Sequence, residues 1–132
     1  MSGEIENGLT TLLGIRVVQA GADLVRLTWQ VRPEHHQAYG IVHGGIYCAA
    51  VETAASIGAA LWFGEQGRVV GVSNQTDFLR AVREGTLNAE ARPIHRGRSQ
   101  QLWQVEITDE HGRLIARGQV RLHNLTPSAQ AT

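Results

Sequence analysis

The chain has 132 residues, enough for one domain with a single core. Twelve basic and twelve acidic side chains leave no formal net charge with His neutral, which argues against nucleic acid as the main partner but not against a small anionic ligand. Cys48 is the only cysteine, so no intrachain disulfide can form, and the N-terminal MSGEIENGLT lacks the basic-then-apolar pattern of a secretion signal, making a cytoplasmic location the default.

Residues 9–14 read as a short helical lead-in. Residues 15–20 (IRVVQA) and 24–31 (LVRLTWQV) are strand-like. In the second, Leu24, Arg26, Thr28 and Gln30 share one face and Val25, Leu27, Trp29 and Val31 the other. Pro33 ends that strand, and residues 33–40 form a polar loop. Residues 42–63, VHGGIYCAAVETAASIGAALWF, then carry one long helix that stops at Gly64 or Gly67. Four strands follow: 69–81, then 86–95, where Pro93 marks an edge position or a bulge, then 100–108 and 114–122. Arg96-Gly97-Arg98 and Asp109-Glu110-His111-Gly112 are the turns between the last three. Two strands, one helix and four more strands predict a single α+β domain over residues 1–125, with 126–132 as a loose tail. Its sheet, mostly antiparallel and of five or six strands, curls over the helix.

The helix decides how the domain must close. After His43 it is built mainly from Gly, Ala and larger apolar residues, and Glu52 is its only charged side chain. At about 1.5 Å per residue, residues 44–63 extend roughly 30 Å, the reach of a small domain or of a bilayer. Three features count against a membrane span: Glu52 lies mid-segment, small residues from Ala49 to Ala60 dilute the hydropathy, and no basic cluster flanks either end. The helix is therefore read as enclosed by protein. A sheet on one side of it leaves helix surface uncovered, so self-association as a homodimer or homotetramer is expected.

The spacing Gln37-x5-His43-Gly44-Gly45-x6-Glu52-x3-Ser56 opens this helix. Together with the strand Ser73-Asn74-Gln75-x-Asp77-Phe78-Leu79-Arg80 and the His95-Arg96-Gly97-Arg98 turn, it resembles the hotdog-fold acyl-CoA thioesterases over nearly the whole chain. Within them it is most similar to the phenylacetate-pathway (PaaI-like) type and to the related aryl-CoA, enterobactin-pathway and menaquinone-pathway enzymes. Many phenylacetate-type relatives carry Asp where this chain has Glu52, and Glu is more like the aryl-CoA and enterobactin branch. The resemblance implies hydrolysis of an acyl-CoA thioester, without metal or redox cofactor.

Residue chemistry and resemblance then combine into roles. A carboxylate in an apolar helix is costly unless it is partnered or functional. Glu52 is thus either a structural acid or, as the family implies, the group that activates water or attacks the thioester carbonyl across a dimer interface. Ser56, four residues on, shares its side of the helix; it helps place water or substrate, or bonds back to the Glu52 carbonyl. Free N–H groups at the helix start make Gly44 a natural oxyanion site, and the bare Gly44-Gly45 lets a thioester approach the backbone. Gln37 can donate to the same oxygen, and His43 is an orienting residue. His35, His36 and His43 lack a carboxylate or Cys at ligand spacing, so no metal is expected. Arg96 and Arg98, with His95, suit CoA phosphates or a plain solvated turn, and Asn74 contacts substrate or satisfies a sheet edge. Cys48 reads as a small core residue, and Trp62 and Phe63 as core or as acyl-pocket lining. Two rivals remain: a dehydratase or hydratase acting on acyl thioesters, and a non-catalytic acyl-CoA-binding module. Sensors of this fold usually carry a DNA-binding segment, and the lead-in before Ile15 is too short for a helix-turn-helix. The acyl group, the pathway and the carrier (CoA or acyl carrier protein) are not specified by the sequence.

Overall fold

The computed structural model describes residues 8–127. A short helix α1 (Leu9–Leu12) leads into strands β1 (Arg16–Ala20) and β2 (Val25–Gln30), and one 3-10 turn (Pro33–His35) precedes the long helix α2 (Gly44–Phe63). Strands β3 (Arg68–Phe78), β4 (Thr86–Arg96), β5 (Gln100–Asp109) and β6 (Leu114–Leu125) follow. Every expected element is present, with ends moved by a few residues. The tail expected after residue 125 falls, from 128 onward, outside the described residues, as do the first seven.

The six strands form one antiparallel sheet in the order β1-β2-β4-β5-β6-β3, curved around α2, which makes this the hotdog architecture. Period-two alternation sets the faces. Val25, Leu27 and Trp29 of β2, Leu87, Ala89 and Ala91 of β4, and Trp103, Val105 and Ile107 of β5 all point into the core against the helix. β4 is interior only as far as Ala91, so at Pro93 the edge and the bulge readings both hold. Pairing with β2 ends at Ala91, and the register to β5 slips between Pro93 and His95.

α2 starts and stops where local chemistry dictates. His43 is the N-cap, its Nδ1 accepting the Gly45 N–H at 2.7 Å, and Gly64 ends the helix with φ 62°. Small residues let helix and sheet interlock in both directions. A Cβ at Gly58 would lie 2.5 Å from the Trp103 ring, and one at Gly118 would lie 2.6 Å from Val51. By length and composition the segment Gly44–Gln66 passes for a membrane span, with mean hydropathy 1.4, yet its inner side is packed on this sheet.

The opposite side of α2 is not enclosed: Cys48, Ala49, Glu52, Thr53, Ser56 and Ala60 are only half-buried. Next to it runs β3, hydrogen-bonded to β6 on one edge and, among the described residues, to no strand on the other. β3 and the residue after it expose Val70, Val72, Phe78 and Leu79.

Candidate active site

Glu52 stands on that half-buried side of α2, facing β3. Asn74 reaches it from the strand: its Nδ2 donates to Glu52 Oε1 at 3.1 Å and to the Cys48 carbonyl at 3.2 Å. The Asn74 amide is oriented in turn by Thr76, whose hydroxyl donates to Oδ1 at 2.7 Å. Ser56 Oγ lies 3.5 Å from Glu52 Oε2, so the hydroxyl faces the carboxylate and not the Glu52 carbonyl. Glu52 forms no ion pair among the described residues. A carboxylate held only by neutral donors keeps lone pairs and charge available for water or substrate.

Gly71 makes room for this arrangement, because a Cβ there would fall on Glu52 Oε2. The register of β3 against β6 slips between Gly71 and Ser73, a bulge that re-aims the strand beside the carboxylate. Gly71 is a residue that sequence reasoning missed. The available signal is a glycine inside the otherwise strand-forming run Val69-Val70-Gly71-Val72, which marks a bulge or a close approach.

A second cluster forms at the start of α2. Ile46 N–H bonds the His43 carbonyl at 3.0 Å and Gly45 N–H is taken by the His43 ring, while no described residue accepts from Gly44 N–H. Gln37 Oε1 accepts the Tyr39 N–H at 2.5 Å, and the Gln37 amide nitrogen has no acceptor among the described residues. Gln37 and Gly44 line one cleft of about 260 Å³ with Tyr47, Phe78 and Leu79. Gly44 is required here by the Phe78 ring, which a Cβ would approach to 2.5 Å. The bare backbone expected to admit a thioester is therefore roofed by a ring that is itself 56% exposed.

The two clusters are apart. Gly44 and Glu52 are eight residues distant on one helix, roughly 12 Å along its axis, and Glu52 does not line the cleft. A carbonyl hydrogen-bonded at Gly44 is out of attack range, about 3–3.5 Å, of Glu52 in the same protomer.

The His95–Arg98 segment divides by residue. Arg96 donates to the Ala22 carbonyl at 2.7 Å and to Asp23 Oδ1 at 3.0 Å, and its guanidinium lies 5.3 Å over the Trp62 ring. Through Nη1 it ties the end of β4 to the β1–β2 turn; Trp62 lies beneath it, and neither Trp62 nor Phe63 lines the cleft at Gly44. Arg98 is exposed, with no side-chain partner among the described residues. Its backbone is fixed from below, since Asn124 Nδ2 donates to the carbonyls of Gly97 at 3.0 Å and Arg98 at 3.2 Å. Fully buried Gln101 completes that support by donating to Asn124 Oδ1 and the Ala59 carbonyl and accepting from Trp103 Nε1. Gln101 is a polar residue on the inward face of β5, in phase with Trp103 and Val105, and that phase is the signal by which a sequence reading finds it. His95 folds over Gly97 and lines a separate cleft of about 380 Å³ with Leu102 and Arg121. Arg121, also missed, reaches this place because β6 pairs it with Leu102. Asn74, read from the sequence as a substrate contact or a sheet-edge group, is held on the Glu52 carboxylate and the Cys48 carbonyl.

In the loop, His35 is buried and spends both ring nitrogens on backbone, accepting from Arg32 N–H at 3.1 Å and donating to the Leu13 carbonyl at 2.8 Å. His36 donates to the Arg83 carbonyl at 2.7 Å.

A family model described as Thioesterase superfamily matches residues 39–116. A Mycobacterium tuberculosis protein bearing a provisional esterase name is 51% identical over 116 residues, covering 86% of this chain and 83% of that one. The 1,4-dihydroxy-2-naphthoyl-CoA hydrolase of Escherichia coli is 33% identical over 109 residues, 83% of this chain and 80% of that one. The solved structure of a Haemophilus influenzae thioesterase superposes with a TM-score of 0.89 at 32% identity, covering 95% of this chain and 87% of that one.

Proposed function

The chain belongs to the thioesterase superfamily and is a thioester hydrolase, and on that premise we propose that it cleaves an acyl-CoA thioester to a carboxylic acid and free CoA at a site built by two copies of the chain. The observation that carries this reading is the separation of the two clusters. The thioester oxygen is held by Gly44 N–H and the Gln37 amide of one copy, where charge develops as the carbonyl is attacked. Glu52 of a second copy supplies the chemistry. It takes a proton from a water that attacks the carbonyl carbon, or attacks that carbon itself to give an anhydride that water then opens. In either route the C–S bond breaks and CoA leaves as thiolate. Ser56 places the water or substrate, and Asn74 holds the carboxylate.

The pairing of copies has a surface to use. β3 is an eleven-residue strand with an edge that no described strand pairs and with exposed Val70, Val72 and Phe78, the kind of edge that a second chain covers. We take the homodimer as the minimal working unit, with a tetramer as its possible assembly. A single domain, a cytoplasmic location and hydrolysis without metal or redox cofactor belong to the same proposal. Glu52, where the phenylacetate type often carries Asp, supports the aryl-CoA branch. The test is CoA release across a panel of aryl- and alkyl-CoA esters. Turnover of at least one ester is expected, and tight binding of esters with no release would favour the non-catalytic module.

Arg98, with His95 beside it, is the proposed contact for the CoA phosphates, and Arg96 positions that turn from beneath. Arg98→Ala is expected to raise KM for CoA esters while sparing thioesters of N-acetylcysteamine, which lack the nucleotide, because lost uniform binding appears in KM and not in kcat. Arg96→Ala is expected to act on both substrates alike and to lower the melting temperature, since it breaks the link to Asp23 and Trp62. Steady-state kinetics on both substrates checks this. An equal effect of Arg98→Ala on the two would return Arg98 to a solvated turn.

A further inference from the structure

One residue of the last strand organises the turn between β4 and β5. Asn124 Nδ2 donates to the carbonyls of Gly97 at 3.0 Å and Arg98 at 3.2 Å, and the Asn124 backbone N–H donates to the Ser99 carbonyl at 2.8 Å. Three consecutive carbonyls are thereby drawn inward onto Asn124. The peptide bonds here are trans, and in a planar trans unit the N–H faces away from the C=O. The units that carry the Gly97 and Arg98 carbonyls also carry the N–H groups of Arg98 and Ser99, so these two donors face outward. Neither has an acceptor among the described residues, whereas Gly97 N–H is spent on the Gln100 carbonyl at 2.8 Å. Arg98 and Ser99 are exposed, and successive backbone N–H groups turned to one side make a concavity that favours an anion.

The grip on Asn124 comes from the core. Gln101, 0% exposed, donates from Nε2 to Asn124 Oδ1 at 2.8 Å and to the Ala59 carbonyl of α2 at 3.1 Å, and its Oε1 accepts from Trp103 Nε1 at 2.8 Å. Buried amides are costly unless their groups are paired, and apolar side chains could fill the same space without that demand. This chain of amides runs from the long helix to the surface and ends at the turn that bears Arg98. Its outer end is where it acts.

We propose that Asn124, held by Gln101, is a positioning residue for the CoA phosphates. By drawing the carbonyls of residues 97–99 inward it aims the Arg98 and Ser99 N–H groups at a phosphate, so that backbone and the Arg98 guanidinium hold the nucleotide end together. The inference rests on the reading of this turn as the CoA contact.

The test reads CoA binding and so does not depend on hydrolysis. CoA is titrated into the native protein, Asn124→Leu, Arg98→Ala and the double variant, with Kd from calorimetry and backbone amide shifts from NMR. In the native protein the Arg98 and Ser99 amide resonances are expected to move on CoA binding, as N–H groups that gain an acceptor do. Asn124→Leu is expected to weaken CoA about tenfold, the size of one lost hydrogen bond, and to abolish those shifts. The double variant should bind more weakly than Arg98→Ala, since the backbone donors act beside the guanidinium. Asn124→Leu strands a Gln101 donor, so Asn124→Ala, which leaves room for a water there, is measured beside it. Native affinity in either folded Asn124 variant overturns the inference, however low that variant melts. So do unmoved Arg98 and Ser99 amides in the native protein, shifts that survive in the Asn124 variants, or a double variant no weaker than Arg98→Ala. Failure of both Asn124 variants to fold also overturns it, because the network would then have a structural role alone. Native affinity in Arg98→Ala with lost affinity in the Asn124 variants would strike the Arg98 contact and leave this inference standing. Absence of CoA binding by the native protein would strike both.

Discussion

Glu52→Gln is expected to lower kcat by about two to four orders of magnitude, the usual range for losing a positioned acid–base group. Gln has nearly the volume of Glu and retains an oxygen to accept from Asn74, so the local hydrogen bonds survive. What disappears is the capacity to take a proton or to attack carbon. KM for a CoA ester should change little, because neither the phosphate contacts nor the acyl cleft is touched. Melting temperature should hold or rise, because an amide avoids the desolvation that a half-buried carboxylate suffers. A purely structural Glu52 predicts the reverse: a lower melting temperature and near-normal turnover in the protein that remains folded. Melting and single-turnover CoA release on one preparation separate the two.

Gly71→Ala is expected to reduce kcat by about a hundredfold while leaving the carboxylate chemically intact. The added methyl would occupy the position of Glu52 Oε2 and push that side chain away from Asn74 and Ser56. Displacement by about 1 Å is enough for a loss of this size when geometry is what catalysis depends on. Gly71 does not sit in the left-handed region, so Ala is compatible with its backbone and the strand should persist. The two substitutions should not add. The double variant is expected to match Glu52→Gln alone, as residues that act through one group do. Kinetics of the three variants checks this, and full activity in Gly71→Ala would show that the observed carboxylate position is not the working one.

The fold is legible in the sequence because its pattern is local. Val25, Leu27 and Trp29 alternate with polar neighbours, and an Ala-rich run closed by Gly64 reads as a helix. The uncovered face of α2 also follows from burial reasoning, and it is where Glu52 stands. What the sequence does not carry is which side chains meet across strands. The sequence offers Asn74 as a substrate contact or a sheet-edge group, yet the structure turns it onto Glu52, because β3 runs along that side of the helix. Arg96 and Arg98 look equivalent around Gly97, but the structure sends Arg96 inward to Asp23 and Trp62 and leaves Arg98 outside. Gly71 and Gln101 do leave a trace, one a glycine in a strand and the other a polar residue at a core phase. Reading either trace requires the partner it meets, Glu52 for the first and Asn124 for the second.

The central claim, that Gln37 and Gly44 of one copy work with Glu52 of another, is tested most directly by mixed dimers. Gln37→Ala removes an oxyanion donor and by itself should lower kcat by about a hundredfold. Glu52→Gln disables the other half. Chains carrying different affinity tags, one with each substitution, are co-expressed, and the heterodimer is isolated. If the site is shared, one of its two sites combines an intact Gln37 with an intact Glu52, and the heterodimer recovers about half the native kcat although each parent homodimer is nearly inactive. If every site lies within one copy, each site keeps one defect. A heterodimer no more active than its parents would contradict the account.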